Sequence, residues 1–168
     1  MHNPLRVMKL RSNLSTDAFS RETSETHNAF GKGIRIDTKT HSPRNHWGWD
    51  LSAIDNTPVY AVASGIVTST RRDPSAENYG NQIELQFRWN GIQYTAFYAH
   101  LSVIYVAVMS NVGEGQVIGT TGHTGNAHNL PPNQRHLHFE IRTKHGHGKN
   151  GSVDPATLLG GTLLACHT

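Results

Sequence analysis

The stretch from Ile83 to His100 constrains the fold of this chain more than any other. Ile83, Leu85, Phe87 and Trp89 alternate with Glu84, Gln86 and Arg88, a period of two that fits a half-buried strand and no helix. Asn90-Gly91 follows, the dipeptide that most readily takes the left-handed conformations of a two-residue hairpin turn. The return limb, Ile92 to His100, keeps the same period, which predicts His100 on the face of Tyr94, Ala96 and Tyr98. Further short strands are predicted over 59–62, 65–70, 103–109, 116–119 and 136–142, with sixteen glycines in the chain to turn between them. No segment shows a long helical period, and there is no internal repeat. The expectation is one compact, mostly β domain of antiparallel strands over 29–168. Before it stands a polar, period-free arm over 1–28, irregular or briefly helical.

A chain of 168 residues is long enough for a real core. It has no apolar run near the roughly 20 residues that a membrane helix needs, so no membrane span is expected. Lys and Arg outnumber Asp and Glu by 15 to 12, with a pI near 9.2, which suits an anionic partner. The basic residues are scattered and build no recognisable nucleic-acid module, so no nucleic-acid partner is expected. A single cysteine, Cys166, leaves no internal disulfide. The first residues carry charge but no apolar stretch of signal-peptide length, so a mature or trimmed chain, or export by another route, is expected.

Twelve histidines are the compositional outlier, and their context sorts them. In His136-Leu-His-Phe-Glu140, strand geometry sends His136 and His138 to one face and Leu137, Phe139 and Ile141 to the other. Two imidazoles on an apolar strand are costly to bury without a partner. Glu140 falls on the histidine face, where it is placed either to partner His138 or to face solvent. His46-Trp-Gly-Trp-Asp50 sets an imidazole and a carboxylate four residues apart. Gly48 argues against a helix there, so the pair is expected where a loop enters the strand Asp50-Leu51-Ser52. Tyr98-Ala-His100-Leu101 ends the hairpin. His145-Gly-His147 repeats the HxH spacing among Lys144, Gly146, Gly148 and Lys149, and is expected to be a solvated basic turn. His2, His27, His41, His123, His128 and His167 lack an ordered apolar context, although His123 and His128 are placed to line a cleft before the HLH strand. Catalytic zinc takes about three protein ligands plus a water. Two histidines and one carboxylate make such a set, and two more histidines remain for proton transfer.

Together these motifs resemble the lysostaphin/LytM family of zinc endopeptidases. The similarity runs from about Gly31 to Leu159, through Gly48, Asp50-Leu51, Pro58-Val59, Tyr79-Gly80-Asn81, Tyr98-Ala-His100-Leu101, Gly115 to Gly119, His136 to Glu140 and Val153-Asp154-Pro155. The resemblance implies that His46, Asp50 and His138 hold one zinc ion per chain, that His100 and His136 are catalytic, and that Asn81 lines the substrate groove. It further implies a groove walled by loops, a peptidoglycan peptide as substrate, and action in the periplasm or outside the cell; a monomer is expected. The rivals are the same fold as a delivered toxin or a phage or secretion component, or as a non-catalytic wall-binding regulator. The chain departs from the family in a short turn before Gly115, a longer loop over 126–135, and tryptophans at 47 and 49 that would narrow the groove or stack on substrate.

Overall fold

A computed structural model of the protein describes residues 1–11, 28–36, 40–73, 75, 78–144 and 146–160. Residues 12–27 of the expected arm, His145, Cys166 and His167 lie outside the described residues. In chain order the strands are β1 (Gly31–Ile36), β2 (Pro43–His46), β3 (Trp49–Ser52), β4 (Pro58–Tyr60), β5 (Gly65–Arg71), β6 (Asn81–Trp89), β7 (Ile92–Ile104), β8 (Asn111–Val112), β9 (Val117–Thr121), β10 (His136–Arg142) and β11 (Ser152–Val153). The short helix α1 (Ala156–Leu159) follows.

β1 and β2 form a two-stranded sheet, and the remaining strands share one antiparallel sheet with neighbours in the order β11, β10, β7, β6, β5, β8. β3 adds to β10, while β9 joins β7 to β4. The β6–β7 hairpin closes on Trp89 opposite Ile92, with Asn90 and Gly91 both at positive φ, as the turn dipeptide requires. Its inward residues Ile83, Leu85 and Ala96 are fully buried. Leu137, Phe139 and Ile141 of β10 are also fully buried and join the same core. The 103–109 segment departs from its predicted strand. β7 simply continues to Ile104, and the chain then turns at the rim, where Tyr105, Val108 and Met109 are exposed and have no face to bury.

The first eleven residues are built into this domain despite having no period. Leu5, Met8 and Leu10 are buried in the core. Leu10 bridges Leu51, and the Arg11 and Ser52 amides donate to the Asp50 and Lys9 carbonyls, so this segment covers the outer edge of β3. An edge that would otherwise present unpaired backbone groups is thereby closed. β3 is held between this segment and β10, which fixes the strand that carries Asp50.

Candidate metal centre and active site

Sheet register brings the first two site residues together. Asp50 on β3 stands directly opposite His138 on β10, a cross-strand pair whose side chains share one face. The third, His46, ends β2, and Trp47-Gly48 carries the chain from there into β3. His46 therefore sits at a strand end and not in the loop expected from its sequence. Gly48 is required because a Cβ there would run into the carbonyl of Phe139 and come within 2.7 Å of Glu140 Cγ. The tight passage folds His46 back over Asp50. His46 Nε2 lies 3.2 Å from Asp50 Oδ1 and 3.3 Å from His138 Nδ1, and His138 Nδ1 lies 2.7 Å from the same carboxylate oxygen. All three residues are buried, and their donor atoms could hold one metal ion.

Backbone partners settle the proton positions around this cluster. A carbonyl oxygen can only accept, so a ring nitrogen facing one carries the hydrogen. His46 Nδ1 donates to Ala29 O at 2.7 Å, His100 Nδ1 to Thr124 O at 2.9 Å, and His136 Nδ1 to Gln134 O at 3.0 Å. In the neutral form each of these rings has a bare Nε2. For His46 that lone pair meets the Asp50 oxygen, acceptor against acceptor, an arrangement that a cation satisfies. His138 is reversed: its Nε2 donates to Glu140 Oε1 at 2.8 Å, which leaves Nδ1 for the cluster. Two imidazoles and a carboxylate, each ring held from behind, are the donor set that catalytic zinc takes once it displaces the proton from His138 Nδ1.

His100 reaches the cluster only because β7 breaks its alternation. Pairing with β6 shifts between Asn81 opposite Leu101 and Ile83 opposite Tyr98, and His100 has φ 60°. Before this bulge Ala96 and Tyr98 face the core; after it Leu101 does. His100 is thus turned away from Tyr98, contrary to the period-two expectation, and its ring lies 5.0 Å from that of His136. Bulges are a known device for re-aiming a side chain beside a site.

The electrostatics separate three of the rings. Burial lowers the pKa of His100 to about 4 and that of His136 to about 3, so both are uncharged at neutral pH. Burial acts the same way on His138, but hydrogen bonds to Asp50 and Glu140 outweigh it and raise that ring to about 9. Glu140 is itself fully buried. Burial alone would raise its pKa, but donors from His138, His147 and Arg142 hold it well below the usual carboxylate range.

The cluster forms the floor of a cavity of about 420 Å³ whose rim includes Trp47, Tyr79, Arg44 and Arg11. Trp49, by contrast, is 2% exposed and belongs to the core, so it neither narrows the groove nor meets a substrate. Asn81 lies elsewhere, in a neighbouring cavity of about 540 Å³ that also contains His123 and His128. Its side-chain amide donates to Ser102 O at 3.2 Å. Three further residues, none assigned to the site from the sequence, meet it in the structure. Tyr79 stacks on His138 with ring centroids 5.0 Å apart. The Arg11 guanidinium lies 3.9 Å from Asp50 Oδ2. His147, exposed as expected of its basic turn, also donates to Glu140 Oε2 at 2.9 Å and lines the cavity.

The sequence profile of peptidase family M23 matches residues 44–155, more than half of the chain and the whole span from His46 to Glu140. The chain belongs to peptidase family M23. Over 104 residues it is 38% identical to the peptidoglycan DD-endopeptidase ShyA of Vibrio cholerae, which covers 62% of this chain and 21% of that protein. The chain therefore spans about a fifth of the length of this M23 relative. Its fold is similar to a zinc-containing peptidase from Vibrio cholerae, with TM-score 0.60 and 31% identity over 75% of this chain and 34% of that one. It is also similar to the catalytic domain of the antimicrobial peptidase lysostaphin from Staphylococcus simulans, with TM-score 0.61, 28% identity, and coverage of 79% of this chain and 90% of that one. The fold read from the sequence, antiparallel and mostly β, is the one these M23 structures share.

Proposed function

We propose that this chain is a zinc-dependent endopeptidase that hydrolyses amide bonds in the peptide cross-links of bacterial peptidoglycan, acting in the periplasm or outside the cell as a monomer. One observation carries the reading. Three buried donors, His46 Nε2, Asp50 Oδ1 and His138 Nδ1, converge within 3.3 Å, and two uncharged histidines stand beside them on the cavity wall. Family membership and the peptidoglycan endopeptidase named among its relatives support the substrate. No helix of the described residues is long and apolar enough to cross a membrane.

His46, Asp50 and His138 would hold the ion. Zinc there supplies Lewis-acid polarisation of the scissile carbonyl and makes water acidic enough to attack near neutral pH. His100 and His136, each fixed through Nδ1, present bare Nε2 atoms and act as proton acceptors. The ring that takes the proton of the attacking water then carries a donor at Nε2, which it delivers to the departing amine. Arg11 and Arg44 add positive charge to the cavity lining, in which Asp50 is the one acidic residue among the described residues, a field suited to a carboxylate-bearing wall peptide. Asn81, in the neighbouring cavity, would meet the substrate farther from the reacting bond.

The full ligand set and both histidines argue against a non-catalytic regulator. The test is digestion of purified cell walls with direct diaminopimelate cross-links and with glycine bridges, by wild-type protein and His138→Ala, followed by mass spectrometry of released fragments. New amino termini from at least one wall, absent with His138→Ala, are expected. A zinc-loaded protein that cuts neither wall would overturn the reading.

A further inference from the structure

We infer that His147 is a positioning residue of the metal centre: with Arg142 it pins the Glu140 carboxylate that keeps the proton of His138 on Nε2 and leaves Nδ1 to the metal. This rests on the reading of His138 as a ligand.

Both nitrogens of His138 face carboxylates, Nδ1 toward Asp50 Oδ1 at 2.7 Å and Nε2 toward Glu140 Oε1 at 2.8 Å. The metal-binding form of an imidazole has one hydrogen, so in that form the two carboxylates compete for it. If Asp50 wins, the hydrogen occupies the atom that must bind metal. If Glu140 wins, Nδ1 is free. The outcome depends on how firmly the Glu140 carboxylate is aimed, since the terminal torsion of a glutamate is broad. Its Oε1 faces His138, while its Oε2 takes Arg142 Nε at 2.8 Å and His147 Nδ1 at 2.9 Å. Two donors on one oxygen hold the other in place. Arg142 is itself fixed, paired to Glu84 at 3.1 Å and lying 3.9 Å above the Phe97 ring.

His147 is supplied by the connection between β10 and β11, and that connection is tied to itself. The Thr143 amide donates to Gly151 O at 2.7 Å, the Ser152 amide to Gly148 O at 2.9 Å, and the Gly148 amide to Ser152 Oγ at 2.9 Å. Gly151 passes so close to the Gly146 backbone that a Cβ would collide with it. The turn therefore has a built shape, and it directs His147 back over the sheet. The His147 side chain is 43% exposed and contributes little to the core. Its ring also meets Tyr79 edge-on at 6.4 Å, and Tyr79 in turn stacks on His138. Its position is thus explained by the metal centre and not by packing.

Partners that orient a metal-ligating histidine typically contribute 10–100-fold to metal affinity, and one acting through Glu140 is expected near the low end. The test compares full-length wild type with His147→Leu, which removes the donor, and His147→Asn, whose amide nitrogen sits where Nδ1 was. Zinc dissociation constants come from chelator competition, ligand geometry from the visible spectrum of the cobalt-substituted proteins, and folding from thermal melting without metal. His147→Leu should weaken zinc about tenfold and alter the cobalt spectrum. His147→Asn should remain within about twofold of wild type, and all three melting curves should coincide. Unchanged affinity and spectrum in His147→Leu, or an equal loss in His147→Asn, would overturn the inference. If the leucine variant does not fold, His147→Gln replaces it, since its amide cannot reproduce the Nδ1 donor. Loss with Gln but not with Asn supports the role; equal behaviour overturns it. These readouts need no substrate, so zinc binding as expected without wall cleavage would refute the peptidase reading and leave this one standing. A wild-type protein that binds no zinc would refute both.

Discussion

Asp50 and His138 face each other across the β3–β10 pair, with Oδ1 and Nδ1 2.7 Å apart, and His46 Nε2 lies within 3.3 Å of both. Residues distant in sequence are thus converted by strand register into one buried donor set. The division of labour within it predicts different failures for different substitutions. Asp50→Ala removes a ligand and should abolish stoichiometric zinc binding. His100→Ala removes a ring held by Thr124 O outside the donor set, so it should retain zinc by metal analysis. Its turnover should nevertheless fall by about 10²–10⁴, the usual contribution of a proton-transfer group. A zinc-free His100→Ala protein would show that ligand and catalyst had been exchanged.

The histidine faces of the sheet were legible in the sequence to different degrees. Alternation through His136–Arg142 read the β10 faces correctly, because an antiparallel strand without a bulge preserves a period of two. The same logic failed at His100, where the bulge opposite Asn81 and Ile83 inserts a residue that no composition announces. His147 has the exposure its glycine- and lysine-rich surroundings predict, but no sequence signal announces its contact with Glu140. Only the bonds from the Thr143 amide to Gly151 O and from the Ser152 amide to Gly148 O show how it is aimed at Glu140. Arg11 lies in a segment without periodicity, which is positioned by pairing to β3 and not by any pattern of its own.

The pKa shifts predict how the metal-free protein responds to pH. His100 and His136 are lowered to about 4 and about 3, below the ordinary value of 6.5. Between pH 6.5 and about 4 the unfolded chain therefore binds more protons at these sites, and stability falls as pH falls. His138 is raised to about 9, so between 6.5 and about 9 the folded chain holds the extra proton and stability falls as pH rises. Metal-free protein should be most stable near pH 6.5. Zinc replaces the proton on Nδ1 and should flatten the alkaline limb. Thermal melting across pH, with and without zinc, checks both statements.

Gly48 predicts a packing defect that spreads into the site. A methyl group at this position must displace the Phe139 carbonyl or Glu140 Cγ, on the strand that carries His138. Gly48→Ala should cost about 1–3 kcal/mol, the range for overpacking a close contact. Zinc affinity should weaken together with stability. Denaturant unfolding and metal titration of the same preparation measure the two effects.

Removal of the ion should be reversible and visible in stability. At free zinc 100 times the dissociation constant, binding to the folded state adds about 2.7 kcal/mol. A chelator should therefore lower the melting temperature and stop wall cleavage, and added zinc should restore both. Asp50→Ala should show neither response.

Anomalous diffraction at the zinc edge locates the ion and its ligands in one measurement. One peak per chain is predicted, bonded to His46 Nε2, an oxygen of Asp50 and His138 Nδ1 at about 2.0–2.2 Å, with His100 and His136 nearby but not bonded. No peak, or a peak held by His100 or His136 in place of one of the three, would show that His46, Asp50 and His138 are not the zinc ligands.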